Sequence, residues 1–249
     1  MSGFKDHFSS HASAYSTYRP GYPAALARWL AGEASDKSLA VDVGCGSGQL
    51  STLLAEHFVQ VAALDPSAEQ IANAQPHPKV DYRVAPAERT GIAAGSAGLL
   101  TAAQAAHWFD LPAFFAEAQR ILKPGGLIAL VTYAGMTPGS DVAAIVETFR
   151  TDTLAPYWPP ERAMVDNDYR DIHLPFSPVE APPMLLEMQW SLDALVGYVD
   201  TWSAVRAMER AIGREPFERM AACLREAWGP PETARVLQWP LTVIAGRVA

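Results

Sequence analysis

The residue types and spacing that could do chemistry stand together in Val41-Asp42-Val43-Gly44-Cys45-Gly46-Ser47-Gly48-Gln49-Leu50. Gly44 and Gly46 permit backbone angles, and a close approach of a ligand to the backbone, that a Cβ would block. Asp42 precedes the first glycine by two positions, and Asp65 follows it by 21 residues. A carboxylate at that second position can accept hydrogen bonds from both hydroxyls of a ribose. A dinucleotide site would read G-x-G-x-x-G and seat a pyrophosphate on the helix N-terminus. Here the glycines fall at 44, 46 and 48, and Gln49 stands where the last dinucleotide glycine would be. The pattern fits a nucleoside better than a pyrophosphate, and an NAD(P)-dependent oxidoreductase stays as an alternative. Further along, His107 has a side chain whose ordinary pKa suits base chemistry near neutral pH.

The elements that must position these residues alternate. Short apolar runs predict strands over 39–43, 60–64, 80–84, 98–103 and 127–133. Between them, Leu50, Leu53, Leu54 and Phe58 mark a helix over 49–58. Ser67-Ala68-Glu69-Gln70 reads as a capping box. Asp110 caps a helix with Leu111, Phe114, Phe115, Ala118 and Leu122 on its apolar face. Such alternation predicts an α/β fold, a parallel sheet wound by right-handed crossovers with helices on both faces. Ligands of such sheets bind beyond the carboxyl ends of the strands, where the glycine turn lies.

After residue 133 the pattern changes. A helix is expected over 141–154, then a proline-rich stretch from Pro156 to Pro183 with Trp158, Tyr169 and Phe176. It is too apolar for a linker and reads as ordered irregular structure over the end of the sheet. A sixth strand is expected over 184–190 and a single helix carrying Leu192, Leu195, Val196, Val199, Trp202 and Val205. Another helix is expected near 216–228 and a last strand over 236–247. The expected organisation is an N-terminal helical lid (1–38), a cofactor-binding core (39–134), a cover and substrate region with the sixth strand (135–232), and the last strand of the core sheet (233–249).

Composition narrows the function classes. The 249 residues are 49% hydrophobic and 18% charged, with a net charge of −8. Nucleic-acid binders present a basic face, so nucleic acid is not an expected partner. Cys45 and Cys223 make neither a disulfide framework nor a metal cluster, which points to a reducing compartment and no metal. The most apolar stretch, 92–109, is broken by Gly95, Ser96, Gln104 and His107, and no membrane span or signal peptide is expected. These observations predict a soluble cytoplasmic protein, monomer or homodimer.

With Asp42 before it and Asp65 after it, the glycine segment resembles the first motif of the class I S-adenosylmethionine-dependent methyltransferases. Arg120-Ile121-Leu122-Lys123-Pro124-Gly125-Gly126 is similar to the turn that precedes their fifth strand. Tyr18-Arg19-Pro20-Gly21-Tyr22-Pro23, Gln104 to Phe109 and Thr201-Trp202-Ser203-Ala204 resemble the small-molecule branch that includes trans-aconitate methyltransferase-like proteins. The resemblance implies a Rossmann-like, seven-stranded, mostly parallel sheet with an antiparallel last strand. It implies S-adenosyl-L-methionine as cofactor, S-adenosyl-L-homocysteine as product, and methyl transfer to a small molecule at oxygen, a carboxylate being one such acceptor. The implied cofactor residues are Asp42, Gly44, Cys45, Gly46, Gln49, Asp65, Pro66, Gln104, His107 and Trp108, with Ala87 and Glu88 against the adenine. Tyr15, Tyr18 and Arg19 would close over the methionine end. His107 is the candidate general base. Candidate substrate contacts are Trp158, Tyr169, Arg170, His173, Trp202 and Arg206. A non-catalytic nucleoside-binding or regulatory protein that kept the fold is a further alternative.

Overall fold

The computed structural model describes residues 21–249. Tyr15, Tyr18, Arg19 and most of the expected lid therefore lie outside the described residues. Pro23 is the N-cap of α1 (Ala24–Glu33), which buries Leu26, Ala27, Leu30 and Ala31. Then follow β1 (Leu39–Val43), α2 (Gln49–Ala55), β2 (Gln60–Asp65), α3 (Ala68–Ala72), β3 (Val80–Val84) and β4 (Ala97–Ala103). Helix α4 (Leu111–Ile121) leads into β5 (Leu122–Thr132). Strands β1, β2, β4 and β5 are nearly continuous apolar runs because both faces of the sheet are covered.

With β6 (Ser177–Val179) and β8 (Arg235–Arg247) added, the sheet runs β3-β2-β1-β4-β5-β8-β6. Strands β1 to β5 are mutually parallel. The last strand, β8 (Arg235–Arg247), is antiparallel to β5. This is a Rossmann-like α/β sheet. The chain leaves β1 toward β2 on one side, and β4 returns on the other, so the strand order reverses beside β1. That reversal opens a crevice at the carboxyl ends of β1 and β4.

Helices α1 and α2 cover one face of the sheet, where Leu26, Leu30, Leu50, Leu54 and Phe58 pack against Val61, Leu99 and Leu127. Helix α4 covers the other, with Phe114, Ala118 and Ile121 against Leu100, Ile128 and Leu130. The cover comprises α5 (Asp141–Thr148), α6 (Arg162–Asp166), β6 (Ser177–Val179), β7 (Met184–Trp190), α7 (Leu192–Asp200), α8 (Ser203–Ile212) and α9 (Glu215–Trp228). It has a core of its own that includes Phe149, Trp190, Leu195, Met208, Leu224, Trp228 and Trp239.

Four local expectations are corrected. The strand at 184–190 forms, but it pairs with the first half of β8, off the main sheet; the main-sheet edge position next to β8 belongs to β6. That edge strand is three residues long and carries Pro178, which an edge tolerates. The single helix expected through 205 is two helices. Thr201 Oγ1 donates to the Tyr198 carbonyl at 2.6 Å, closing α7, and Trp202 is extended before α8 begins. The helix expected over 141–154 ends as an α-helix at Thr148 and continues as a wider π turn over Phe149–Thr153. Finally, Lys123-Pro124-Gly125-Gly126 lies within β5, where the register against β4 shifts. Gly125 (φ +71°) donates to Val248 at 3.0 Å, so the segment is a bulge pinned by the chain's end.

Candidate functional site

The glycine turn sits at the crevice. Gly44 and Gly46 hold φ of +64° and +55°. A Cβ on Gly44 would overlap the Ala105 methyl, so the end of β4 can approach only a bare backbone. Gly48 answers a different neighbour, because a Cβ there would strike the Tyr82 ring of β3. Cys45 N–H donates to the Leu64 carbonyl at 3.0 Å and ties the turn to the end of β2. Burial, with the charges of Asp42 and Asp65, pushes the Cys45 thiol well up, so it remains a thiol at neutral pH and is no nucleophile.

Two carboxylates are built into this turn. Asp65 Oδ2 accepts from Gly46 N–H at 2.9 Å, and its Oδ1 accepts from Ser67 N–H at 2.8 Å. The carboxylate is thereby held in one orientation at the cavity wall. Asp42 is buried; its two oxygens accept from Ser51 Oγ at 2.6 Å and Thr101 Oγ1 at 2.8 Å. Burial raises its carboxyl to about 6 against the pull of those two hydroxyls, and the Asp65 charge adds to the rise.

A cavity of about 510 Å³ opens over the turn, within the range of a cofactor site. It is lined by Asp42, Gly44, Cys45, Gly46, Gln49, Asp65, Pro66, Ala87, Glu88, Gln104 and Trp108, residues the sequence nominates. Five of the described lining residues are acidic (Asp42, Asp65, Glu88, Asp110 and Glu161), and none is Lys or Arg. Such a wall favours a cationic ligand and repels a pyrophosphate. Glu88 Oε1 accepts from Asp110 N–H at 2.9 Å, which fixes the loop after β3 to the start of α4. Gln104 (φ +55°) donates from Nε2 to the Tyr133 carbonyl at 2.7 Å and accepts from Thr132 Oγ1 at 2.5 Å. Its amide thus braces β4 against β5.

The lining also contains residues that sequence reasoning missed. Gln70 is 4% exposed, and its Oε1 has no hydrogen-bond partner among the described residues. It lies 3.9 Å from where a Gly46 Cβ would stand. The capping box is therefore half formed: Ser67 accepts from Gln70 N–H at 3.3 Å, while the glutamine amide turns to the cavity. An orphaned acceptor, a backbone cradle and an acidic wall together fit a positively charged nucleoside such as S-adenosylmethionine. Tyr22 and Phe109, which lie in segments that carry the resemblance but were not nominated, and Tyr133 also line the wall.

A second cavity, of about 50 Å³, shares Gln104, Trp108 and Tyr133 with the first. His107 lines this one and not the larger. Its Nδ1 lies 2.9 Å from the Tyr169 hydroxyl, and both side chains are buried. Trp158 and Trp202 line the second cavity as nominated, and Pro159, Arg162, Tyr198 and Ser203 join them. The other nominated substrate residues are not brought to either lining. Tyr169 is enclosed behind His107. Arg170 is 74% exposed and pairs with Asp168. His173 is exposed, with Nδ1 3.0 Å from the Asp171 carbonyl. Arg206 pairs with Asp200 and Glu209. Helical charge pairing and loop exposure divert these residues, and neither is visible in residue type alone.

Residues 41–130 match the family model described as a methyltransferase domain. A Dictyostelium discoideum protein named a methyltransferase is 34% identical over 229 residues, covering 90% of this chain and 87% of that one. A Saccharomyces cerevisiae protein named an S-adenosylmethionine-dependent methyltransferase is 30% identical over 139 residues, covering 52% and 46%. A solved structure of a type II methyltransferase from Anaeromyxobacter dehalogenans superposes with a TM-score of 0.87 at 47% identity, covering 93% of this chain and 98% of that one. All three carry provisional names.

Proposed function

This chain belongs to the S-adenosylmethionine-dependent methyltransferases, and on that premise we propose that it methylates a small molecule at oxygen. The observation that carries the reading is the acidic, glycine-floored cavity whose wall is shared with a smaller aromatic cavity. Gly44 and Gly46 would carry the nucleoside on bare backbone, Asp65 its ribose, Ala87 and Glu88 the adenine, and Asp42 the cationic end. When bound there, S-adenosylmethionine would supply a methyl group activated by its sulfonium.

The chain's own contribution is alignment and the exclusion of water, and orientation alone can supply roughly 7–11 kcal/mol. Trp108, Tyr133, Trp158 and Trp202 form the aromatic walls of the smaller cavity, against which a flat acceptor can be aligned. His107 would take the proton of an acceptor hydroxyl at Nε2, since Nδ1 is engaged with Tyr169. His107→Asn is expected to lower kcat on a hydroxyl acceptor by about 10²- to 10⁴-fold; near-normal turnover would remove the base role. The segment before α1 would act as a lid, with Tyr15, Tyr18 and Arg19 on the methionine end, while α1 itself belongs to the core layer on the sheet and not to the expected lid of residues 1–38. Deleting residues 1–20 should abolish cofactor binding, measured by calorimetry, without unfolding the core. Unchanged affinity would refute the lid.

The short sequence matches make the trans-aconitate methyltransferase-like branch the proposed subgroup. Two free cysteines, one of them exposed, suit a reducing compartment, and we place the protein in the cytoplasm. No helix among the described residues is long and apolar enough to cross a membrane. The dinucleotide and non-catalytic alternatives are not favoured, the first because the larger cavity has five acidic residues and no Lys or Arg among its described lining residues to receive a pyrophosphate.

A further inference from the structure

The smaller cavity holds one guanidinium among the described residues, and it is unusually placed. Arg162 is 19% exposed at its side chain and lies 4.6 Å over the Trp158 ring. Its Nε donates to Asp166 Oδ1 at 3.1 Å. That is the one hydrogen bond its guanidinium makes among the described residues, although a guanidinium carries five donors in a planar fork. Asp166 is shared with Arg150, whose Nη1 lies 2.5 Å from the same oxygen, so one carboxylate serves two arginines. Around the fork stand flat apolar walls. Trp158 and Trp202 lie 5.7 Å apart, and Tyr198 meets Trp202 edge-on at 5.5 Å.

We propose that Arg162 holds the carboxylate of the methyl acceptor, and that the acceptor is a small aromatic monocarboxylate whose ring lies in the mouth shared by the two cavities. This rests on the methyltransferase reading and adds the acceptor's class to it. Planar guanidinium donors match a carboxylate bidentately, and stacking on Trp158 holds the fork in plane. A cavity of about 50 Å³ admits the space of a few water molecules, enough for a carboxylate and the edge of a ring. The charge distribution limits the acceptor to one anionic group. A second carboxylate would find no further Lys or Arg among the described residues lining either cavity, and the larger one carries five acidic residues.

The test is calorimetric titration of the enzyme loaded with S-adenosylhomocysteine, using benzoate, benzamide and citrate as probes. Benzoate should bind at least about tenfold more tightly than the neutral amide or the tricarboxylate. Arg162→Gln should cost benzoate on the order of 10- to 100-fold in affinity and leave S-adenosylhomocysteine affinity unchanged. Arg162→Lys should recover part of the loss. Equal binding of benzoate and benzamide, tighter binding of citrate, full benzoate affinity in Arg162→Gln, or no benzoate binding to the loaded enzyme would each overturn the proposal. Should the glutamine variant not fold, the wild-type comparison of acid with amide still decides. Failure of S-adenosylhomocysteine to bind at all would instead strike the methyltransferase reading.

Discussion

Asp42 illustrates how one residue couples folding to ligand charge. Its carboxyl stands near 6 when folded against 3.8 ordinarily, because burial disfavours the anion. The folded chain thus binds more protons than the unfolded chain between those values. This group's contribution to stability is full below about pH 3.8 and is lost as pH rises through about 6. A bound cation favours the ionised form, so S-adenosylhomocysteine affinity, carried by its ammonium group, should rise as pH climbs through about 6. Calorimetry across that range checks it, and Asp42→Asn should flatten the dependence. Residues of this kind were legible in the sequence because a glycine turn and its flanking acids are a local pattern. Gln70 and Arg162 were not. Their side chains reach cavities formed by tertiary packing, which residue type and local spacing do not show.

Elements hold the site through contacts between parts of the chain distant in sequence. The loop carrying Ala87 and Glu88 is fastened to α4 at Glu117, which accepts from Thr90 N–H at 2.8 Å, Thr90 Oγ1 at 2.6 Å and Arg120 Nε at 2.6 Å. Hydrogen bonding to Arg120, then to Thr90, lowers its carboxyl from 4.5 to about 2 against the cost of burial. Its contribution is present above about pH 4.5 and is lost as pH falls through about 2. Glu117→Ala should destabilise the protein by about 1–3 kcal/mol in urea denaturation, because it strands the Thr90 N–H. The same variant should weaken cofactor binding through the loosened loop. Strands β1, β2, β4 and β5 could be read from sequence because double-sided burial writes them as apolar runs. The three-residue β6 could not, since a proline disguises it. Nor could the break between α7 and α8, where the apolar stripe of Leu195, Val199, Trp202 and Val205 continues across it.

At the scale of the whole molecule, two packed layers on the sheet and a separately cored cover enclose a crevice whose described walls are acidic. A ligand bound only by the folded chain stabilises it by about 2.7 kcal/mol at 100 times its Kd. S-adenosylhomocysteine at that excess should therefore raise Tm by roughly 5–10 °C, at about 2–4 °C per kcal/mol for a chain of this size. NADP+ at the same concentration should leave Tm unmoved, and an equal shift would reinstate the dinucleotide alternative.

A crystal structure grown with S-adenosylhomocysteine tests the central claim most directly. The account predicts adenosine density over Gly44 and Gly46, with the ribose hydroxyls at Asp65 and the sulfur toward the wall formed by Gln104, Trp108 and Tyr133. Density for the ligand elsewhere on the molecule, with the crevice between β1 and β4 filled by the protein's own side chains, would contradict it.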